Sequence, residues 1–286
     1  MTSETRGLVD TEIVYFSRDE QYLSEKPYTT SFPVNDIDGA ERDNHKWEIH
    51  LTQVRDARNT LETNLDVHGF QYVAWDTALS REDFSSKDSI VSRYYPELLG
   101  LIRKHFPRYK KVAFFDNAIR SRDLRYPAAK GAKTAASQPF RFAHVDYTED
   151  GARMKLEDSL GEGSRERLDT TRCDVLNIWR LMNPGPTRDW PLAFCDYSTI
   201  DPANDIIKND IVYVRGLGEN CFLQHSPHHK WWYLANQEPH EVAIFRNTCV
   251  NDPSAPRGFH CAFSNPLATD ADPLRESVEV RLAAFY

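Results

Sequence analysis

The chain lacks any run of about 20 apolar residues, the length a membrane-spanning helix needs. Met1 to Glu20 is polar and acidic, with no hydrophobic stretch of the kind a secretion signal carries. Cysteine is scarce. The five, Cys173, Cys195, Cys221, Cys249 and Cys261, are odd in number and never spaced C-x-x-C. That pattern excludes a disulfide framework and a thiolate zinc site, and it predicts a reduced, cytoplasmic setting. Basic charge is also in deficit, with 35 Lys and Arg against 43 Asp and Glu and a net charge of −8. Nucleic acid is therefore not an expected partner, since binding phosphates takes a basic face. The one basic cluster (Arg103, Lys104, Arg108, Lys110, Lys111) reads as a solvated helix face. No repeat and no linker interrupts the chain. What is present is 286 residues, 40% of them hydrophobic and 12% aromatic, enough for one well-buried domain over 1–286. The expected partner is a small-molecule substrate, with no membrane, and the oligomeric state is left open.

The texture divides in two. Residues 1–45 are polar, with one candidate strand, Glu12–Phe16, and Trp47–Ala57 reads as a helix or connector. Leu65–Trp75 suits a turn and a strand around Gly69. Ser80–Asp83 resembles a capping box with Asp in place of Glu. Ser89–Phe106 places Ile90, Tyr94, Leu98, Leu101 and Ile102 near helical spacing, and Lys111–Asn117 is a short apolar strand. Residues 126–139 (YPAAKGAKTAASQP) read as a surface loop and a candidate lid. From about residue 140, short aromatic and β-branched runs alternate with turn residues: Arg141–Tyr147, Val175–Met182, Leu192–Tyr197, Ile211–Arg215, Lys230–Leu234, Val242–Asn247, Phe259–Phe263 and Ser277–Phe285. About eight strands at this spacing predict a sandwich or barrel. The expected architecture is mainly β with flanking helices: a helical N-terminal buttress over about 1–125 and a jelly roll over about 140–286.

His144-Val145-Asp146 falls in a predicted strand, where residues i and i+2 share a face. An imidazole and a carboxylate so placed could bind one metal, leaving positions open for a cosubstrate and O2. With 10 His and 25 Asp in the chain, chance alone supplies about one such pair, so a solvated turn is the plain alternative. His260 in RGFHCAF is the candidate third ligand, 116 residues on; a lone strand histidine is as readily a core residue. Arg275-Glu276-Ser277 is the only R-x-S in the chain. Arginine grips a carboxylate with two parallel bonds, and a hydroxyl two residues along can add a third. Arg281 shares the parity of Arg275 and competes for that task. Arg180, with Asn177 and Trp179 in NIWRLMNPG, is a charge in an apolar strand and needs an anionic partner, such as a substrate carboxylate. Trp231 and Tyr233 are candidates to wall the substrate pocket; they alternate with Trp232, so the three cannot all line it. His225, His228 and His229 form a second histidine cluster, readable as a loop or as a zinc site.

Taken in order, HGF (68–70), YYPELL (94–99), FFDNAIRSR (114–122), HVD (144–146), NIWRLMNPGPTRDWPLAFCD (177–196), HKWWYL (229–234), EVAIF (241–245), HCAF (260–263) and RESVEVR (275–281) resemble the fungal hydroxylase/desaturase family related to gibberellin desaturase. The resemblance runs from about Leu65 to the C-terminus. It implies a double-stranded β-helix and an oxidation that depends on Fe(II), 2-oxoglutarate and O2, in the making of secondary metabolites. It also implies that His144, Asp146 and His260 hold the metal and that Arg275 with Ser277 clamps the cosubstrate. Hydroxylation, desaturation and ring closure all remain open outcomes. The rivals are a non-catalytic β-barrel binder and a zinc-binding protein built on His225, His228 and His229.

Overall fold

Short apolar alternations build two sheets laid face to face. The computed structural model describes residues 7–58, 60–127, 137–161 and 163–286. In chain order the elements are β1 (Leu8–Phe16), a 3-10 turn (Glu20–Leu23), β2 (Tyr28–Thr30), β3 (Trp47–Asp56), α1 (Leu65–His68), β4 (Phe70–Ala74), a second 3-10 turn (Glu82–Ser85), α2 (Lys87–Ser89), a π-turn (Ile90–Tyr94), α3 (Tyr95–His105) and β5 (Lys111–Ser121). Then come β6 (His144–Val145), α4 (Glu149–Leu160), α5 (Ser164–Thr170), β7 (Cys173–Leu181), β8 (Leu192–Cys195), a third 3-10 turn (Tyr197–Thr199), β9 (Ile206–Val212), β10 (Leu217–Leu223), β11 (Trp231–Tyr233), β12 (Glu241–Val250), β13 (His260–Ala262) and β14 (Glu276–Phe285).

Among the described residues the larger sheet runs β1-β3-β11-β8-β13-β6-β10-β9-β2 and the smaller runs β4-β12-β7-β14-β5. This is the jelly roll that the sequence predicts. Two expectations change. Trp47–Ala57 is not a helix or connector: β3 pairs with β1 along its length, from Leu8↔Arg55 to Phe16↔Trp47. Its apolar residues Ile49 and Leu51 face solvent, 55% and 79% exposed, while Glu48, His50 and Thr52 are half-buried, so its hydrophobic pattern is inverted. The N-terminal part is also not mainly helical. It contributes β1 and β3 to one sheet and β4 and β5 to the other, and α4 and α5 arise later, inside the jelly-roll half.

β7 is buried along its whole length because both faces of the smaller sheet are covered. Its even positions Leu176 and Ile178, with Val242, Ile244, Val278 and Val280, meet the Leu98, Leu101 and Ile102 face of α3. Burying those three α3 side chains contributes roughly 5–8 kcal/mol before entropy is counted. The odd positions Asn177, Trp179 and Leu181 face inward, where Trp179 and Leu181 join Phe70, Phe194 and Phe245 between the sheets. Two glycines set one wall. Gly69 has φ 83° after α1, and a Cβ there would sit 2.3 Å from the Arg257 carbonyl; a Cβ on Gly258 would lie 2.8 Å from the Gly69 carbonyl oxygen. Only glycine lets the two segments cross this closely, and the crossing sets the backbone two residues before His260.

Candidate metal centre and active site

His144 and His260 stand directly opposite each other on the antiparallel strands β6 and β13, their rings 4.3 Å apart between centroids. Each ring is oriented through Nδ1. His144 donates to the carbonyls of Phe142 (2.8 Å) and His260 (3.0 Å), and His260 donates to that of Gly258 (2.9 Å). With Nδ1 protonated, Nε2 is left as the lone-pair face, which is how metal-binding histidines are usually held. Asp146, just beyond β6, brings Oδ1 to 3.2 Å from His144 Nε2. Ligand atoms of His144, Asp146 and His260 lie within 4.8 Å of one another, the one such group among the described residues. Burial, reinforced by His144, lowers the His260 pKa to about 3, so its imidazole stays neutral and able to coordinate. Burial alone would raise Asp146, but the neighbouring charge of Arg281 holds its carboxyl well below the usual range. Two imidazoles, each presenting Nε2, and one carboxylate fit iron(II) with open positions for further ligands.

The second carboxylate oxygen is fixed from behind. Asp146 Oδ2 accepts from Asn177 Nδ2 (2.8 Å) and from Arg281 Nε (2.9 Å). Asn247 accepts from the Asp146 amide (3.0 Å) and donates to Asn177 Oδ1 (2.7 Å). Two bulges aim these groups. On β12 the register shifts between Arg246 and Thr248, which leaves Asn247 as the extra residue. On β5 the pairing passes from Asp116 to Phe114 opposite Arg281 and Leu282, so Asp116 follows the extra residue and meets Arg281. Re-aiming side chains at active sites is a common use of bulges. Arg281 is held by Asp116 (2.9 Å), Asp146 and Glu279.

Farther along the inner face, the sequence pair Arg275 and Ser277 contrasts with Arg281. Arg275 is 2% exposed and forms no ion pair among the described residues. Its Nη1 donates to the Trp190 carbonyl (2.6 Å), its guanidinium lies over the Trp179 ring at 5.5 Å, and its Nε is buried without a partner. The Ser277 hydroxyl is likewise buried and unpartnered. Burial and the neighbouring charge of Arg120 push the Arg275 pKa down to about 9, the mark of a cation without its anion. Arg120 pairs across from Ser277 on β5, and its Nη1 donates to the Gln138 carbonyl (2.9 Å).

The residues predicted to line a substrate pocket are not brought to the triad. β11 pairs Trp231↔Cys195, Trp232↔Phe194 and Tyr233↔Ala193, and β8 pairs Phe194 with His260. Trp232 therefore shares the inner face with the histidine. Trp231 and Tyr233 point the other way into a cluster with Val54, Cys195 and Cys261, and Trp231 Nε1 donates to Tyr15 (2.6 Å). Arg180 sits on the outer face of β7, opposite in parity to Asn177, and so points away from the metal centre. The second histidine cluster is dispersed: His225 stacks on His50 at 3.7 Å, His229 donates to Asp205 (3.1 Å) and His228 is exposed. The lid expected over 126–139 falls mostly on residues 128–136, outside the described residues. A cavity of about 880 Å³ instead opens beside His144 and Asp146, walled by Phe140, Tyr147, Tyr213 and Leu217 and edged by Arg120 and Lys155. None of these wall residues carries a local pattern that marks it in the sequence; strand pairing alone gathers them.

Residues 13–285 match the family described as oxidoreductase/YMDC permease-like domain. The chain is 29% identical over 273 residues to alpha-ketoglutarate-dependent dioxygenase tstK of Talaromyces stipitatus, covering 93% of this chain and 95% of that protein. It is 30% identical over 254 residues to Fe(II)/2-oxoglutarate-dependent dioxygenase nvfI of Aspergillus novofumigatus (86% and 87% covered), and 28% identical over 261 residues to hydroxylase/desaturase efuI of Hormonema carpetanum (84% and 85%). Among solved structures, the iron and alpha-ketoglutarate-dependent endoperoxidase NvfI superposes with a TM-score of 0.81 at 26% identity, covering 98% of this chain and 99% of that one. The opposed histidines, the pinned carboxylate and these relatives lead to one assignment: the chain belongs to the family of fungal Fe(II)/2-oxoglutarate-dependent dioxygenases and hydroxylase/desaturases.

Proposed function

We propose that His144 Nε2, Asp146 Oδ1 and His260 Nε2 hold iron(II), that Arg275 and Ser277 bind the far carboxylate of 2-oxoglutarate, and that the substrate is a drug-sized secondary metabolite taken into the cavity beside the triad. The observation that carries this reading is the buried, unpaired Arg275 next to the orphaned Ser277 hydroxyl. A desolvated guanidinium with no anion is costly, and a dicarboxylate supplies the missing charge. Ser277 lies four residues from Arg281 on β14, about 13 Å along the strand, so the metal-side and carboxylate-side groups stand at opposite ends of one inner face. Arg120, across from Ser277, adds a second cation at the carboxylate end. Arg281 is committed to three acids and serves instead to orient Asp146.

Iron(II) with 2-oxoglutarate and O2 supplies the oxidising power to take hydrogen from an unactivated C–H bond. The chain's own residues do the rest. Asn177 and Arg281 fix the carboxylate so that Oδ1 faces the metal. The backbone carbonyls of Phe142 and Gly258 fix the imidazole tautomers. Phe194 and Phe245 pack around His260 and keep water from its inner side. The cavity volume, about 880 Å³, is within the range for ligands of drug size. Its Phe140, Tyr147 and Tyr213 rings suit an apolar skeleton, and Lys155 with Glu157 and Asp158 suits a polar substituent. Hydroxylation, desaturation or ring closure is then decided by which C–H bond those walls hold over the triad. The test is succinate formation by purified protein given iron(II), 2-oxoglutarate and air. Steady turnover, abolished when iron is chelated, supports the reading; keto-acid-independent activity with zinc would overturn it.

A further inference from the structure

Arg180 stands out in the sequence as a charge in an apolar strand, and the iron site has no use for it. It is 3% exposed, and its Nε and Nη1 are buried without hydrogen-bond partners. No ion pair reaches it among the described residues. The acids nearby are committed elsewhere or lie at the surface. Glu276 is clamped by Arg81, Glu97 accepts from the Thr77 hydroxyl and the Ala78 amide, and Asp76 is exposed. The Tyr94 hydroxyl is also buried, beside Arg180. Burial pushes its pKa up to about 12, against the charge of Arg180 and a hydrogen bond from it. Arg180 lines a cleft of about 340 Å³ with Asp76, Thr77, Arg81, Asn183 and His240. That cleft lies on the outer face of the smaller sheet, with β7 between it and the metal centre.

We propose that this cleft is a second binding site, for a small oxyanion bearing a carboxylate or phosphate group. Arg180 donates to the anion from its guanidinium, and Tyr94, in contact with Arg180 from behind, holds that fork in place. A guanidinium presents a planar fork that matches either group. A largely buried fork with no carboxylate partner carries a charge that an anion would balance. At about 340 Å³ the cleft is at the small end of ligand pockets, so its occupant is an anion of a few heavy atoms and not the metabolite oxidised at the iron. The proposal does not depend on the metal centre, since Arg180 and Asn177 project from opposite faces of β7.

The test uses the full chain with Arg275→Ala, so that the cosubstrate clamp takes no part. Inorganic phosphate, acetate and succinate are titrated separately by calorimetry, with chloride holding ionic strength constant. The expected result is saturable binding of at least one of them, and comparing the three separates phosphate from carboxylate recognition. Adding Arg180→Gln should weaken that binding about tenfold or more, and Tyr94→Phe, which keeps the packing, should weaken it several-fold. Binding of none of the three overturns the proposal. So does binding that survives both substitutions, or a crystal structure with Asp76 swung onto Arg180 as its counter-ion. If Arg180→Gln fails to fold, the Tyr94→Phe result decides: unchanged affinity rejects the site.

Discussion

Replacing Arg275 by Ala separates a cosubstrate clamp from a structural arginine, because the two roles predict opposite signatures. Among the described residues the Arg275 guanidinium makes one hydrogen bond, to the Trp190 carbonyl, and packs over Trp179. Losing that packing costs about 1–3 kcal/mol. Removing an uncompensated buried charge, already pushed toward its neutral form, recovers a similar amount. Stability without 2-oxoglutarate should therefore change by no more than about 2 kcal/mol. Cosubstrate binding loses a charge-assisted bidentate contact in a dry site, about 2–4 kcal/mol, so KM for 2-oxoglutarate should rise roughly 30- to 1000-fold. The assays are succinate formation against 2-oxoglutarate concentration, and urea unfolding with and without the keto acid. Wild type should be stabilised by 2-oxoglutarate and the variant should not. An unchanged KM, or an unfolding loss beyond about 4 kcal/mol with KM intact, would refute the reasoning and make Arg275 a scaffold residue.

Asn177→Ala should lower iron affinity about 10- to 100-fold with little change in KM for 2-oxoglutarate, since it removes a bond to Asp146 and takes the acceptor from Asn247 Nδ2; metal titration reads this directly. In metal-free protein, His260 has a folded-state pKa of about 3, below its unfolded value of about 6.5. Between those values the unfolded chain binds a proton that the folded chain does not, so stability falls as pH drops from about 6.5 toward about 3. His260→Asn should flatten that limb in urea titrations, and an unaltered slope would contradict the assignment. Gly258→Ala places a Cβ 2.7 Å from the Phe245 Cβ; a loss of about 1–3 kcal/mol is expected, with weakened iron retention because His260 follows two residues on.

Much of the site can be read from the chain because it rests on strand parity. His144 and Asp146, like Arg275 and Ser277, are two residues apart and share a face whichever sheet they join. Parity does not say which face is inner. Trp231 and Tyr233 alternate with Trp232 as expected, yet it is Trp232 that pairs with Phe194 on the histidine side. The sequence draws Arg180 to the wrong face for the same reason, since only pairing with β14 shows that Asn177 and Trp179 are the inward set. Arg281 has the parity of Arg275, but six residues carry it to the metal end, among three acids. The bulges at Asn247 and beside Asp116 leave no mark in composition, and β3 hides because Ile49 and Leu51 face outward. The family resemblance rests on whole segments and is unaffected by these local ambiguities.

The central claim is that one carboxylate and two imidazoles hold the iron that drives 2-oxoglutarate oxidation. Asp146→Ala tests it most directly, by iron content after anaerobic loading together with succinate formed per protein. Asp146 supplies the one acidic ligand, and Asn177 and Arg281 both converge on it. The account predicts near-stoichiometric iron and steady succinate formation in the wild type, with both lost in the variant while folding persists. A variant that retained full iron and the wild-type rate of succinate formation would contradict it.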